Sequence, residues 1–147
     1  IVERAKNAVQ IFPNNSEIKN LFNSVLVGRK QMIEAVEISK IALEYFNSNE
    51  FDKAAIEFEK AIKLNSADYA NYENAAIANY MTGNLNKAIE QIDKVINDLN
   101  PLNGKCEYIK ALIFIKLGDE VGACPLLATS IDSGNKQASG IFDQYCK

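Results

Sequence analysis

Asn49-Glu50-Phe51-Asp52-Lys53-Ala54-Ala55-Ile56-Glu57-Phe58 sets a pattern that returns at Gly83-Asn84-Leu85-Asn86-Lys87-Ala88-Ile89-Glu90-Gln91-Ile92. It returns more faintly at Gly118-Asp119-Glu120-Val121-Gly122-Ala123-Cys124-Pro125-Leu126-Leu127. Ala54 to Ala88 is 34 residues, and Ala88 to Ala123 is 35. A period of this length is the signature of a solenoid of helical hairpins, an architecture that presents a surface.

Other residues keep the same frame. Phe58, Ile92 and Leu127 recur with the alanines, as do Ile62, Ile96 and Ile131. Asn49, Gly83 and Gly118 stand five residues before them. Ala42, Ala76 and Ala111 stand twelve before, and Tyr45, Asn79 and Phe114 follow those by three. Small residues let two helix backbones approach where they cross, and the larger apolar residues fill the adjoining space. The Gly or Asn marks the bend between the paired helices.

The pattern resembles the tetratricopeptide repeat (TPR) family. The first full unit carries Ala42, Tyr45, Asn49, Phe51, Ala54, Phe58 and Ala61. The second carries Tyr72, Ala76, Gly83, Leu85, Ala88, Ile92 and Val95, with Pro101 near the closing proline. The third carries Ala111, Phe114, Gly118, Ala123 and Leu127, with Glu120 where an aromatic is usual and Ser130 for Ala. The resemblance covers roughly 35–147 and lacks the usual Trp throughout. It implies an all-α, right-handed superhelix of antiparallel hairpins. It is specific for fold and says little of function, since such domains are mostly scaffolds.

Composition narrows the functional classes. The chain has 147 residues, 48% hydrophobic and 24% charged, ordinary for one globular domain. Sixteen Lys+Arg are interspersed with nineteen Asp+Glu for a net charge of -3, so no basic face is expected for nucleic acid. No apolar run approaches a membrane span. The absence of His removes the commonest general base and metal ligand. Three Cys are too few for a four-ligand zinc site. No phosphate loop or nucleophile motif is present. The expectation is no catalysis, no cofactor and no metal. Glu57, Glu59, Lys60 and Lys63, like Glu90, Asp93 and Lys94, fall at spacings that read as surface pairs.

Along the chain, residues 1–12 read as an amphipathic helix with Ile1, Ala5, Ala8, Val9 and Phe12 on one stripe, ended by Pro13 and a turn at Asn14-Asn15. Residues 1–15 resemble the back half of a repeat whose front half lies upstream; a simple N-terminal capping helix is the other reading. Ser16 is a fair N-cap. No turn cluster lies between it and Phe46, which predicts one long helix, with a bend at Gly28 as the alternative. Segment 16–34 is the helical connector. Repeats follow over 35–68, 69–103 and 104–135, then a capping helix over 136–147 with Ala138, Ile141, Phe142 and Tyr145 inward. Pro125 predicts that the last repeat's second helix starts late, near Gly122, or kinks.

Cys124 and Cys146 lie about eleven residues either side of the Gly134-Asn135 connection, so antiparallel helices bring them level. Two readings stand: a disulfide, or two buried thiols side by side. A disulfide points to the periplasm or cell envelope, whereas free thiols leave the cytoplasm open. Cys106 has no level partner. The C-terminal segment also resembles the ends of bacterial TPR proteins, which places a natural terminus near Lys147.

In TPR proteins the first helix of each hairpin lines a concave groove where partners bind. The resemblance therefore assigns Ser39, Leu43 and Phe46 to the groove from the first hairpin. It assigns Ala70, Glu73, Asn74, Ile77, Tyr80 and Met81 from the second, and Lys105, Tyr108, Leu112 and Ile115 from the third. An apolar, Tyr-bearing face suits a helix or extended peptide. Several of these side chains could equally serve the protein's own core. Family members that grip acidic chaperone tails use a Lys and an Asn where Ser39 and Leu43 stand, which argues against that ligand. The sequence thus predicts a protein- or peptide-binding scaffold. The alternatives are a homodimer through the long helix 16–46, or an accessory domain of a larger protein.

Overall fold

The computed structural model describes residues 1–13, 15–99 and 104–146. Pro101, the expected closing proline, lies outside the described residues, as do Asn14 and Lys147. The described chain is all-α. Helix α1 (Val2–Ile11) leads into the long α2 (Ser16–Asn47). Then come α3 (Phe51–Leu64), α4 (Tyr69–Thr82) and α5 (Leu85–Lys94), which runs on as a π-helical turn over Val95–Leu99. Helices α6 (Lys105–Lys116), α7 (Glu120–Asp132) and α8 (Lys136–Tyr145) complete the order. Each helix packs on the next, α1 on α2 through to α7 on α8.

The alanine frame is where the helices cross. Ala42, Ala54, Ala76, Ala88, Ala111 and Ala123 all have no exposed surface. The larger frame residues Phe58, Ile92 and Leu127 are also fully buried beside them. The frame position before each second helix is left-handed: Asn49, Gly83 and Gly118 have φ of 60°, 85° and 81°. An L side chain clashes there unless it is as small or locally bonding as Asn, so the sequence marks each bend with Gly or Asn.

Helix α2 is continuous through Gly28, so its 32 residues extend about 48 Å. Its cap is Asn15 rather than Ser16, the Asn15 Oδ1 accepting from the Ile18 amide at 3.0 Å. The inward stripe expected on the first helix is only half covered. Ala5, Ala8 and Val9 are half-buried, but Ile1 and Phe12 are exposed, because among the described residues α1 packs chiefly on α2. Helix α7 begins at Glu120, earlier than Pro125 implied. Asp119 caps it by accepting from the Gly122 amide at 2.8 Å, and Pro125 is carried in the second turn.

Polar residues in the core are partnered. Asn79 occupies the frame position held by Tyr45 and Phe114, yet is buried. Its amide donates to Gln91 Oε1 at 2.9 Å and to the Ala75 carbonyl at 3.1 Å. Ser130, standing for Ala, donates to the Gly104 carbonyl at 2.6 Å. Gly104 is tightly held: a Cβ there would lie 2.7 Å from the Ser130 carbonyl oxygen. Among the described residues, no buried side-chain nitrogen or oxygen lacks a partner.

Candidate functional site

Three helices converge on one cavity. Helix α4 presents Ile77, Tyr80 and Met81, α6 presents Lys105, Tyr108, Ile109 and Leu112, and α8 adds Gln137. On α4 and α6 these positions follow the i, i+3, i+4 spacing of a single helix face. The cavity holds about 340 Å³ and is lined mainly by apolar atoms. That volume is in the range of small ligand pockets.

One end of the cavity wall is charged but internally compensated. Lys105 Nζ lies 2.6 Å from Glu73 Oε2, and Glu73 is 3% exposed. The other Glu73 oxygen accepts from the Cys106 thiol at 3.2 Å. Cys106 is a buried free cysteine. Burial, then its bond to Glu73 and that residue's negative charge, push its thiol well above the ordinary range. Buried and bonded to Glu73, the thiol serves as a donor within the core. At the other end, Lys116 stacks on the Tyr80 ring at 4.4 Å and donates to the Tyr80 carbonyl at 2.8 Å.

Six of the thirteen groove residues assigned from sequence line this cavity: Ile77, Tyr80, Met81, Lys105, Tyr108 and Leu112. The other seven do not. Leu43 is exposed farther along, on α2. The Phe46 ring meets Phe51 edge-on at 5.2 Å and Phe58 at 6.4 Å, so it belongs to the packing between α2 and α3. Glu73 is buried beneath Lys105, and Asn74 is half-buried outside the lining. Ser39 donates to Asn71 Oδ1 at 2.8 Å, Ala70 is exposed, and Ile115 packs in the core beside α7. Sequence reasoning passed over Ile109 and Gln137. Ile109 lies one turn beyond Lys105 and was readable from that spacing. Gln137 sits on a helix whose sequence announced only a cap.

Cys124 and Cys146 are joined, with sulfurs 2.05 Å apart and Cα atoms 5.6 Å apart, tying α7 to the end of α8. Among the described residues, no group of three or more His, Cys, Asp or Glu could hold a metal ion. Among them, no helix is long and apolar enough to cross a membrane.

No family model matches the chain. No curated protein matches it either. Solved structures do. The Arabidopsis OM64 TPR domain superposes with a TM-score of 0.74 at 19% identity, covering 79% of this chain and 97% of that one. MamA gives 0.65 at 17% identity, covering 97% of this chain and 75% of its own. The TPR2AB domain of yeast Sti1, in a complex with pHSP90, gives 0.67 at 17% identity. That superposition takes in 97% of this chain and 58% of the Sti1 chain. With the buried alanine frame and the left-handed bends, these likenesses show that the chain has an all-α helical-repeat fold of the TPR type.

Proposed function

We propose that the chain is a non-catalytic binding module whose α4–α6–α8 cavity receives apolar side chains from a peptide or helix of a partner protein. The observation that carries this reading is the cavity of about 340 Å³ walled by two tyrosines and four aliphatic or thioether side chains. Tyrosines supply contact area at little entropic cost, with a polar tip for the ligand backbone. The yeast Sti1 domain, similar in fold, forms a complex with pHSP90. In this chain the first-hairpin groove positions carry Ser39, bonded to Asn71, and Leu43, so an acidic tail finds no clamp there. The Cys124–Cys146 bond fits an oxidising compartment such as the periplasm or cell surface.

The test is a paired pulldown from native extract. One bait is the wild-type protein and the other carries Tyr80→Ala, Tyr108→Ala and Leu112→Ala. A partner retained by the first bait and lost from the second, with both baits equally helical, is the expected result. A partner retained equally by both would move binding elsewhere.

A second reading rests on α2. Leu26, Val27, Met32, Ile33 and Val36 are all exposed on α2, beside the part that α1 covers, which would suit self-association along that helix. Light scattering over a dilution series separates the two, because groove binding alone predicts a monomer.

A further inference from the structure

A lysine in an apolar cavity wall bears on which ligand charge the cavity accepts. Lys105 lines the cavity, and its side chain is 46% exposed. A lone ammonium there would draw carboxylates. Glu73, 3% exposed, holds it at 2.6 Å, and the second Glu73 oxygen is fixed by the Cys106 thiol. The carboxylate is therefore held from both sides, with one oxygen on the ammonium and the other on the thiol. Lys116 is a second cation near this wall. It lies outside the lining residues and is engaged by the Tyr80 ring and carbonyl. The remaining lining is uncharged.

We infer that Glu73 is a specificity-determining residue: by compensating Lys105 it makes the cavity select uncharged apolar side chains and reject acidic ones. This rests on the groove reading above. Specificity here is a difference of affinities built from an unfavourable element, a carboxylate already occupying the cation an acidic ligand would need. The site is poised, because one substitution removes that element without changing shape. In Glu73→Gln the amide can still accept from Cys106, while the Lys105 charge is no longer compensated by Glu73.

The experiment uses two fluorescent synthetic peptides of one leucine- and tyrosine-rich sequence, acetylated and amidated at their ends. One carries glutamine at its flanking positions and the other glutamate. Anisotropy titrations compare wild type, Glu73→Gln, Glu73→Gln with Lys105→Met, and Leu112→Asp. Wild type is expected to prefer the glutamine peptide, with Leu112→Asp abolishing its binding. Glu73→Gln is expected to tighten the glutamate peptide about tenfold, the scale of one charge-assisted bond. It should leave the glutamine peptide within about twofold. The gain should vanish at high salt and in the double variant.

An unchanged preference in Glu73→Gln, with Leu112→Asp still abolishing binding, overturns the role of Glu73 and leaves the groove reading standing. Binding of the glutamine peptide that is absent in wild type, or indifferent to Leu112→Asp, overturns both. Should circular dichroism show Glu73→Gln unfolded, Lys105→Met carries the test. It keeps the carboxylate and removes its counter-charge, so a lysine-flanked peptide should tighten about tenfold, and no gain overturns the inference.

Discussion

The helices within residues 35–146 and those within residues 1–34 both carry apolar faces, yet they pack in different ways. In the first region six frame alanines lose all solvent contact, and Phe58, Ile92 and Leu127 fill the space around them. In the second, no described residue is buried, and Leu21, Leu26, Val27, Met32 and Ile33 are exposed along α2. Hydrophobic periodicity suffices to make a helix. A small residue at each crossing is what lets the next helix close over it. Between Ser16 and Glu34 the apolar residues are large and no alanine interrupts them, so α2 runs past α3 without a second tight crossing.

The largest test of that contrast truncates one apolar residue in each region. Phe58→Ala should cost about 3–5 kcal/mol, since the ring is fully buried and its neighbours Phe46 and Ala75 sit on opposite helices. Leu21→Ala, 62% exposed, should change stability by no more than about 0.5 kcal/mol. Urea midpoints of the two variants measure both. A comparable loss at Leu21 would mean that the N-terminal arm is buried in solution.

The two ends of the solenoid offer the next comparison. At the C-terminal end α8 covers the last apolar face with Ala138, Ile141 and Phe142, and the Cys124–Cys146 bond closes a 22-residue separation. Closing a loop of that size stabilises by about 3 kcal/mol in the chain-entropy model. Cys146→Ala should therefore lower stability by about that amount. Reducing agent should destabilise the wild-type protein alike and leave the variant unmoved. A wild-type midpoint indifferent to reductant would show that the thiols are not bonded in solution. At the N-terminal end no such closure exists among the described residues.

The same contrast explains what was readable from sequence. The frame residues were legible because burial imposes small, large and left-handed positions at one fixed period. Part of the cavity lining was legible too: Ile77, Tyr80, Met81, Tyr108 and Leu112 lie on the first helix of their pair, the helix that the family resemblance singles out. Phe46 shares that helix but turns to Phe51, a choice made by the neighbouring aromatic rather than by spacing. The polar links were hidden. Asn79 meets Gln91 across the α4–α5 hairpin, and Glu73 meets Lys105 from the preceding repeat. Nothing in either segment alone announces its partner. The π-helical turn over Val95–Leu99 was likewise unsignalled, since the apolar spacing there is that of a regular helix.

The smallest effect separates a glycine that helices need from one they do not. In Gly122 an added Cβ would meet Asp119 Oδ2 at 2.4 Å and the Phe114 ring at 2.8 Å, so the residue is small because the α6–α7 corner is close. Gly28 lies mid-helix in α2, and an added Cβ would meet nothing within 4 Å. Its cost is the backbone freedom that a helix interior must freeze, and alanine removes that cost. Gly28→Ala should therefore stabilise the protein by about 0.5–1 kcal/mol, while Gly122→Ala destabilises it by displacing the Asp119 cap. Thermal midpoints of the two variants should move in opposite directions. A Gly28→Ala variant that loses stability would mean that a helix approaches α2 there in solution, making the N-terminal arm a crossing like those of the repeats.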